Sequence, residues 1–150
     1  VKEGSGWSWS YEISDGNWEI DEPKRLLNNF FSELFKQFTS KNIFVLGFSQ
    51  GGLVCFDFVL YLDQPLGGVF PICGFLRQPK IDIKRFHPCQ KNTPILIGHG
   101  KDDDKVPVKA SQNAYRLLKK QEANVELLLY NGKHKIGMEY MKKVREIIQS

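Results

Sequence analysis

The chain has 150 residues, 41% of them hydrophobic and 25% charged, which fits one soluble domain with an apolar core. Its net charge of +4 comes from scattered lysines such as Lys119-Lys120 and Lys142-Lys143, and no basic run interleaved with aromatics supports nucleic-acid binding. No apolar run approaches the roughly 20 residues of a membrane span, so stable membrane insertion is not expected.

Three cysteines, Cys55, Cys73 and Cys89, lack metal-ligand spacing and cannot all pair. Cys55 and Cys73 sit in apolar runs, as buried thiols do. With no charged-then-apolar leader, this usage predicts a reducing, cytoplasmic setting. The chain begins at Val1 and runs into Gly4-Ser5-Gly6-Trp7, as a fragment or processed chain would.

Trp7 to Ile13 alternates apolar and polar residues, the period of a half-buried strand or extended segment, and Asp15-Gly16-Asn17 signals a turn. This aromatic stripe is expected to pack on the domain body; lining a substrate entrance is the alternative. Asp21-Glu22-Pro23 predicts a helix start, with an acidic N-cap before a first-turn proline. Leu26, Leu27, Phe30, Phe31, Leu34, Phe35 and Phe38 then recur at three- and four-residue intervals. They describe an amphipathic helix ending near Thr39-Ser40, with a wide apolar face suited to covering a sheet.

Ile43 to Leu46 is apolar throughout, as in a parallel strand buried on both faces. It leads into Gly47-Phe48-Ser49-Gln50-Gly51, which fits G-x-S-x-G, a strand-turn-helix that presents a serine nucleophile. A sharp turn there strains the serine backbone and needs small neighbours where strand and helix approach. The helix that follows carries Leu53, Val54, Cys55, Phe56, Phe58, Val59 and Leu60, and is expected to be central. Asp57, two turns past the serine, reads as a solvent-edge or hydrogen-bonded residue.

Gly67 to Gly74 predicts a second buried strand, and Phe75 to Thr93 an irregular segment suited to a binding loop. Pro94 to Gly98 predicts a third strand, running into His99-Gly100 and the acidic turn Asp102-Asp103-Asp104. Pro107 opens a helix with Ala114, Leu117 and Leu118; Val125 to Tyr130 is a fourth strand. After Asn131-Gly132-Lys133-His134, a last helix carries Ile136, Tyr140, Met141, Val144 and Ile147. The alternation predicts an α/β fold: a mostly parallel sheet with helices on both faces, in a single domain over 1–150.

Ligands of such sheets bind beyond the carboxyl ends of the strands. Ser49, the Asp102–Asp104 turn and His134 occupy three such ends. A serine nucleophile needs a base to take its proton and a carboxylate to orient that base. The chain order Ser, Asp, His is that of the α/β-hydrolases. His134, in a short loop after a strand, is the expected base; His87 lies mid-loop, and His99 suits a structural role in shaping its turn. Spacing alone favours none of the three aspartates.

Gly47-Phe48-Ser49-Gln50-Gly51-Gly52, His99-Gly100 before an aspartate and Val106-Pro107, and Gly132 with His134 resemble the phospholipase/carboxylesterase family of α/β-hydrolases, which includes acyl-protein thioesterases and lysophospholipases. The likeness runs from about Trp9 to the C-terminus. The family's aspartate stands four residues after the histidine and three before the valine, so the resemblance implies Asp103 as the acid, with Ser49 as nucleophile and His134 as base. The backbone N–H of Gln50 would be one oxyanion donor.

The family's His-Gly-x-Gly loop, source of the other donor, has no counterpart before Ser49. The expectation is that front strands are missing from this chain rather than that the protein is shortened. The implied activity is cleavage of small-molecule or lipid acyl esters or thioesters, with no metal or organic cofactor. Phe48, Phe75 and Leu76 are candidate apolar substrate contacts. The competing readings are a catalytically impaired binding module and a serine peptidase of the same fold. Acyl preference and oligomeric state are not encoded legibly.

Overall fold

The computed structural model describes residues 2–3, 6–10, 12–14, 17–76 and 85–150. These fall into two compact units, Val1–Thr39 and Ser40–Ser150.

In the first unit, β1 (Lys2–Glu3) pairs antiparallel with β2 (Gly6–Trp7), and β3 (Glu12–Ser14) with β4 (Asn17–Trp18). The alternating stretch from Trp7 is thus split between two short hairpins instead of forming one strand. Asp15 and Gly16 of the expected turn, and the side chains of Trp7, Tyr11 and Ile13, lie outside the described residues; Trp9 is exposed. Helix α1 spans Asp21–Gln37. Its N-cap position is Ile20 rather than Asp21, because the Glu19 carboxylate accepts from the Asp21 and Glu22 amides, each at 3.0 Å. An acidic side chain one residue earlier thus satisfies the orphan first-turn donors. Of the apolar face, Phe31 is buried while Leu26, Phe30 and Phe38 are exposed.

The second unit is a parallel sheet in the order β5-β6-β7-β8, formed by β5 (Phe44–Phe48), β6 (Gly68–Ile72), β7 (Ile95–Gly100) and β8 (Val125–Tyr130). Every residue of β6 and β7 is buried, as the continuous apolar runs predict. β5 is not buried on both faces: Leu46 is 42% exposed. Helix α2 (Gln50–Asp57) is shorter than expected, and Val59–Tyr61 continue as a 3₁₀ turn. Helices α3 (Val108–Lys120) and α4 (Met138–Gln149) follow β7 and β8. Ile136 lies before α4 rather than in it.

The strand period of two separates the faces. On β7, Gly98 leaves room for the ring of Tyr140 in α4, whose hydroxyl donates to the Leu96 carbonyl at 2.6 Å. The neighbouring His99 points the other way, to Ser111 in α3. Helices therefore cover opposite faces. On the α4 side, Phe70, Ile72, Cys73, Leu96, Tyr130, Tyr140 and Val144 form one core cluster, with Phe44 and Phe48 packed at its margin. This is a parallel α/β sheet, as the sequence predicts.

The irregular stretch after β6 holds one short 3₁₀ turn, Pro88–Gln90; its residues 77–84 lie outside the described residues. Gln90 anchors it. Its buried amide donates to the Leu62 and Gln64 carbonyls at 2.8 and 2.6 Å, and accepts from the Leu66 amide and the Thr93 hydroxyl. All four bonds of one side chain are made, which is what permits its burial.

Candidate active site

Ser49 is the junction between β5 and α2. Its backbone has φ 54° and ψ −113°, a left-handed conformation that costs a non-glycine residue about 1–3 kcal/mol. Two bonds hold it there: the Ser49 amide donates to the Ile72 carbonyl at 2.8 Å, and the Leu53 amide donates to the Ser49 carbonyl at 3.2 Å. Gly47 and Gly52 are required by space, whereas a Cβ on Gly51, the second glycine of the motif, would meet nothing within 4 Å. A Cβ on Gly47 would lie 2.2 Å from the Gly51 carbonyl oxygen, and one on Gly52 would lie 2.8 Å from the Gly74 Cα. The strand and helix touch at backbone distance, and this aims the Ser49 side chain outward at the strand end.

Asp103 and His134 come from the loops after β7 and β8. Those loops are tied together, since the Lys101 amide donates to the Tyr130 carbonyl at 2.9 Å and the Asp102 amide to the Gly132 carbonyl at 3.0 Å. Tyr130 donates its hydroxyl to the Lys135 carbonyl, fixing the far side of the histidine loop. The result joins residues 85 positions apart: His134 Nε2 lies 3.0 Å from Ser49 Oγ, and His134 Nδ1 lies 2.8 Å from Asp103 Oδ2.

The tautomer follows from the partners. A carboxylate only accepts, so Nδ1 carries the proton and Nε2 presents a lone pair to the serine hydroxyl. Asp103 Oδ1 accepts from the Lys105 and Val106 amides at 2.8 and 2.9 Å. Its side chain is fully enclosed. Burial opposes the charge, but the Val106 amide, His134 and the Lys105 amide outweigh it and hold the carboxyl well below the usual carboxylate range. Asp103 is therefore an anion at any physiological pH.

Of the three aspartates left open by spacing, this geometry brings Asp103 to the histidine; Asp102 and Asp104 are not its partners in any of these bonds, though the Asp102 backbone joins the two loops. His87 caps the Pro88–Gln90 turn, where its Nδ1 accepts from the Cys89 amide at 3.3 Å. His99 is fully buried and shapes its turn by hydrogen bonds, as expected: Nδ1 meets Ser111 Oγ at 2.7 Å and Nε2 meets the Val106 carbonyl at 2.9 Å. Gln50 opens α2, in the first turn where amides lack helical acceptors. Phe48 stacks obliquely on the His134 ring, centroids 4.8 Å apart. Phe75 and Leu76 follow β6, both half-buried. Asp57 ends α2, also half-buried.

One neighbour reads from the sequence only as a buried thiol. Cys73, at the end of β6 with φ 47°, brings its thiol, the Asp103 carboxylate and a His134 nitrogen within 4.8 Å of one another. These three types are metal ligands. Here the carboxylate is already saturated with protein donors and the imidazole bridges it to a hydroxyl, an arrangement suited to moving a proton. Burial raises the thiol's pKa, so Cys73 stays protonated. Its place at a strand's carboxyl end was the signal that could have found it.

Comparison with known proteins identifies the family. Residues 7–150 match the sequence profile of the Phospholipase/Carboxylesterase family. Carboxylesterase SOBER1 of Arabidopsis thaliana is 34% identical over 110 residues, covering 73% of this chain and 48% of its own length. Its crystal structure superposes with a TM-score of 0.75 at 30% identity, over 85% of this chain and 62% of that one. Acyl-protein thioesterase 1 of Kluyveromyces lactis is 29% identical over 130 residues, covering 85% of this chain and 56% of its own. A probable inactive carboxylesterase of rice is 30% identical over 91 residues, 61% of this chain and 37% of that one. The chain thus spans about half the length of these curated relatives or less. With a family match over residues 7–150 and the SOBER1 likeness across most of the chain, this protein belongs to the phospholipase/carboxylesterase family of α/β-hydrolases.

Proposed function

We propose that this chain carries the catalytic relay of a serine hydrolase that cleaves carboxylic esters or thioesters through an acyl-enzyme. The observation that carries the reading is the unbroken line of bonds from Asp103 through His134 to Ser49, at 2.8 and 3.0 Å. As Ser49 Oγ attacks the acyl carbonyl carbon, its proton passes to His134 Nε2, and the carbonyl oxygen becomes an oxyanion. Asp103 stays ionised and stabilises the imidazolium. The oxyanion meets the Gln50 N–H, near the positive end of α2. Collapse expels the alcohol or thiol, which takes the proton from His134 Nε2. Water then repeats the sequence and releases the carboxylic acid.

Phe48, packed against His134, together with Phe75 and Leu76 beyond β6, supplies apolar contacts for the acyl chain. The carboxylesterase and thioesterase relatives support an acyl ester or thioester substrate, small or lipidic. The chemistry asks for no metal or organic cofactor, since the proton and electron pairs are carried by the three side chains.

A fluorophosphonate probe tests the reading. Covalent labelling at Ser49, abolished in Ser49→Ala and strongly slowed in His134→Ala, is the expected result. A folded chain that binds acyl ligands but leaves Ser49 unlabelled refutes it, and would favour the impaired state that the rice relative's name records.

A further inference from the structure

His99 makes more contacts than a turn requires. Its ring is fully buried, and Nε2 lies 2.9 Å from the Val106 carbonyl and 3.3 Å from Asp103 Oδ2. The Val106 carbonyl only accepts, so Nε2 carries the proton and donates it there, while Oδ2 lies beside the same N–H as an electrostatic neighbour. That neighbour, Oδ2, is the same atom that accepts from His134 Nδ1. On the other side, His99 Nδ1 meets Ser111 Oγ at 2.7 Å, and that hydroxyl also lies 3.4 Å from the Gly74 carbonyl. The imidazole therefore spans from β7 to the first turns of α3, and its orientation is set at both nitrogens.

We propose that His99 is a positioning residue for the acid of the relay: its Nε2–H and the Val106 amide clamp opposite oxygens of the Asp103 carboxylate, and Ser111 holds the ring in register. This rests on the Ser49–His134–Asp103 reading above. Two consequences follow. The clamp fixes the direction in which Oδ2 faces His134, so that loss of His99 lets the carboxylate swing. It also draws negative charge toward His99, so that loss of the donor leaves more charge facing His134 and makes that imidazole more basic. The titratable groups facing Asp103 are His134 from the β8–α4 loop, His99 from β7 and the Cys73 thiol after β6, with the Tyr130 hydroxyl bonded to that thiol at 3.5 Å.

The test compares wild type, His99→Phe, His99→Gln and Ser111→Ala in the folded chain. The readouts are the fluorophosphonate labelling rate of Ser49 against pH and the low-field proton resonance of His134 Nδ1–H. His99→Phe is expected to slow the maximal labelling rate by roughly 10- to 100-fold, as small misplacements in a relay do. It should move the acid limb of the profile to higher pH and shift the low-field resonance. Glutamine places a donor nitrogen near the position of Nε2 and should restore most of the rate and the original limb. Ser111→Ala, which leaves His99 in place but loosens its ring, should give a smaller effect in the same direction.

An unchanged limb and resonance in His99→Phe overturn the proposal, as does a glutamine variant no better than phenylalanine. Should His99→Phe fail to fold, an unmoved limb in Ser111→Ala overturns it. Failure of the wild type itself to label is the distinct signature that the relay reading has failed and taken this inference with it.

Discussion

Asp103→Asn separates the orienting role of the carboxylate from its mere presence. The side chain is enclosed and contacted on both oxygens: Oδ1 by two backbone amides at 2.8 and 2.9 Å, Oδ2 by His134 Nδ1 at 2.8 Å. Asparagine has one oxygen and one NH₂, and the two amides of Lys105 and Val106 decide which goes where. Turning the NH₂ toward them would oppose donors to donors, at about 1–3 kcal/mol for each unsatisfied group. The His99 N–H beside Oδ2 is a single, longer contact at 3.3 Å, so the oxygen keeps the two amides and the NH₂ faces His134. Nδ1 must then accept, the proton moves to Nε2, and the imidazole can no longer take the Ser49 proton.

A wrong tautomer of this kind costs a serine relay on the order of 10⁴ in turnover, about 5 kcal/mol of barrier. The assay is p-nitrophenyl ester hydrolysis, or the Ser49 labelling rate, beside Asp102→Asn and Asp104→Asn. Both controls should stay within about threefold, since neither side chain bonds to the histidine. A loss of less than roughly 10-fold in Asp103→Asn, or equal losses in all three variants, would refute the tautomer argument.

Four further outcomes follow from the packing. Because the folded Asp103 carboxyl is held below its ordinary value of 3.8, its contribution to stability is complete above that pH and drains away as pH falls toward the folded value. Acid unfolding of Asp103→Asn should accordingly be less steep below pH 4, read by far-UV circular dichroism. Gly47→Ala, whose new methyl would meet the Gly51 carbonyl at 2.2 Å and Cys55 Sγ at 2.8 Å, should lose about 1–3 kcal/mol or more in urea titration; a loss under about 0.5 kcal/mol would contradict the close approach. Gln90→Met removes four bonds of a buried side chain at once and should destabilise by about 2–4 kcal/mol, with proteolysis appearing near residues 62–66. In the native chain an aqueous disulfide reagent should titrate only Cys89 rapidly, because burial pushes the Cys55 thiol up to about 12 and Cys73 is also raised and enclosed; denaturant should expose all three.

The four parallel strands could be read from apolar runs, most clearly β6 and β7, where burial on both faces leaves a strong compositional trace, and α1, α3 and α4 from helical spacing. The site was legible for a different reason. A glycine-flanked serine, an acidic turn and a histidine each sit at a strand end, and the parallel topology brings strand ends together. Choosing Asp103 from its two neighbours needed the family resemblance, since only the fold decides which side chain turns inward. Cys73 was missed because a cysteine ending an apolar run looks like core. The Glu19 cap was missed because its side chain reaches forward past Ile20, whereas the sequence signal pointed to Asp21 itself. In α2 the apolar pattern continues past Asp57 without a break, so hydrophobicity could not mark the change to a 3₁₀ turn.

The uneven burial of the four parallel strands bears on how this chain would open. Among the described strands β5 and β8 end the sheet, with Leu46 of β5 open to solvent, whereas β6 and β7 between them are buried throughout. Local opening begins where burial and bonding are thinnest. The backbone tension at Ser49 is thus braced against Ile72 at the sheet's margin. On warming, amide protons of β5 should exchange before those of β7. The turn at Ser49 would then loosen while the loop that carries Asp103, hung from the fully buried β7, still holds.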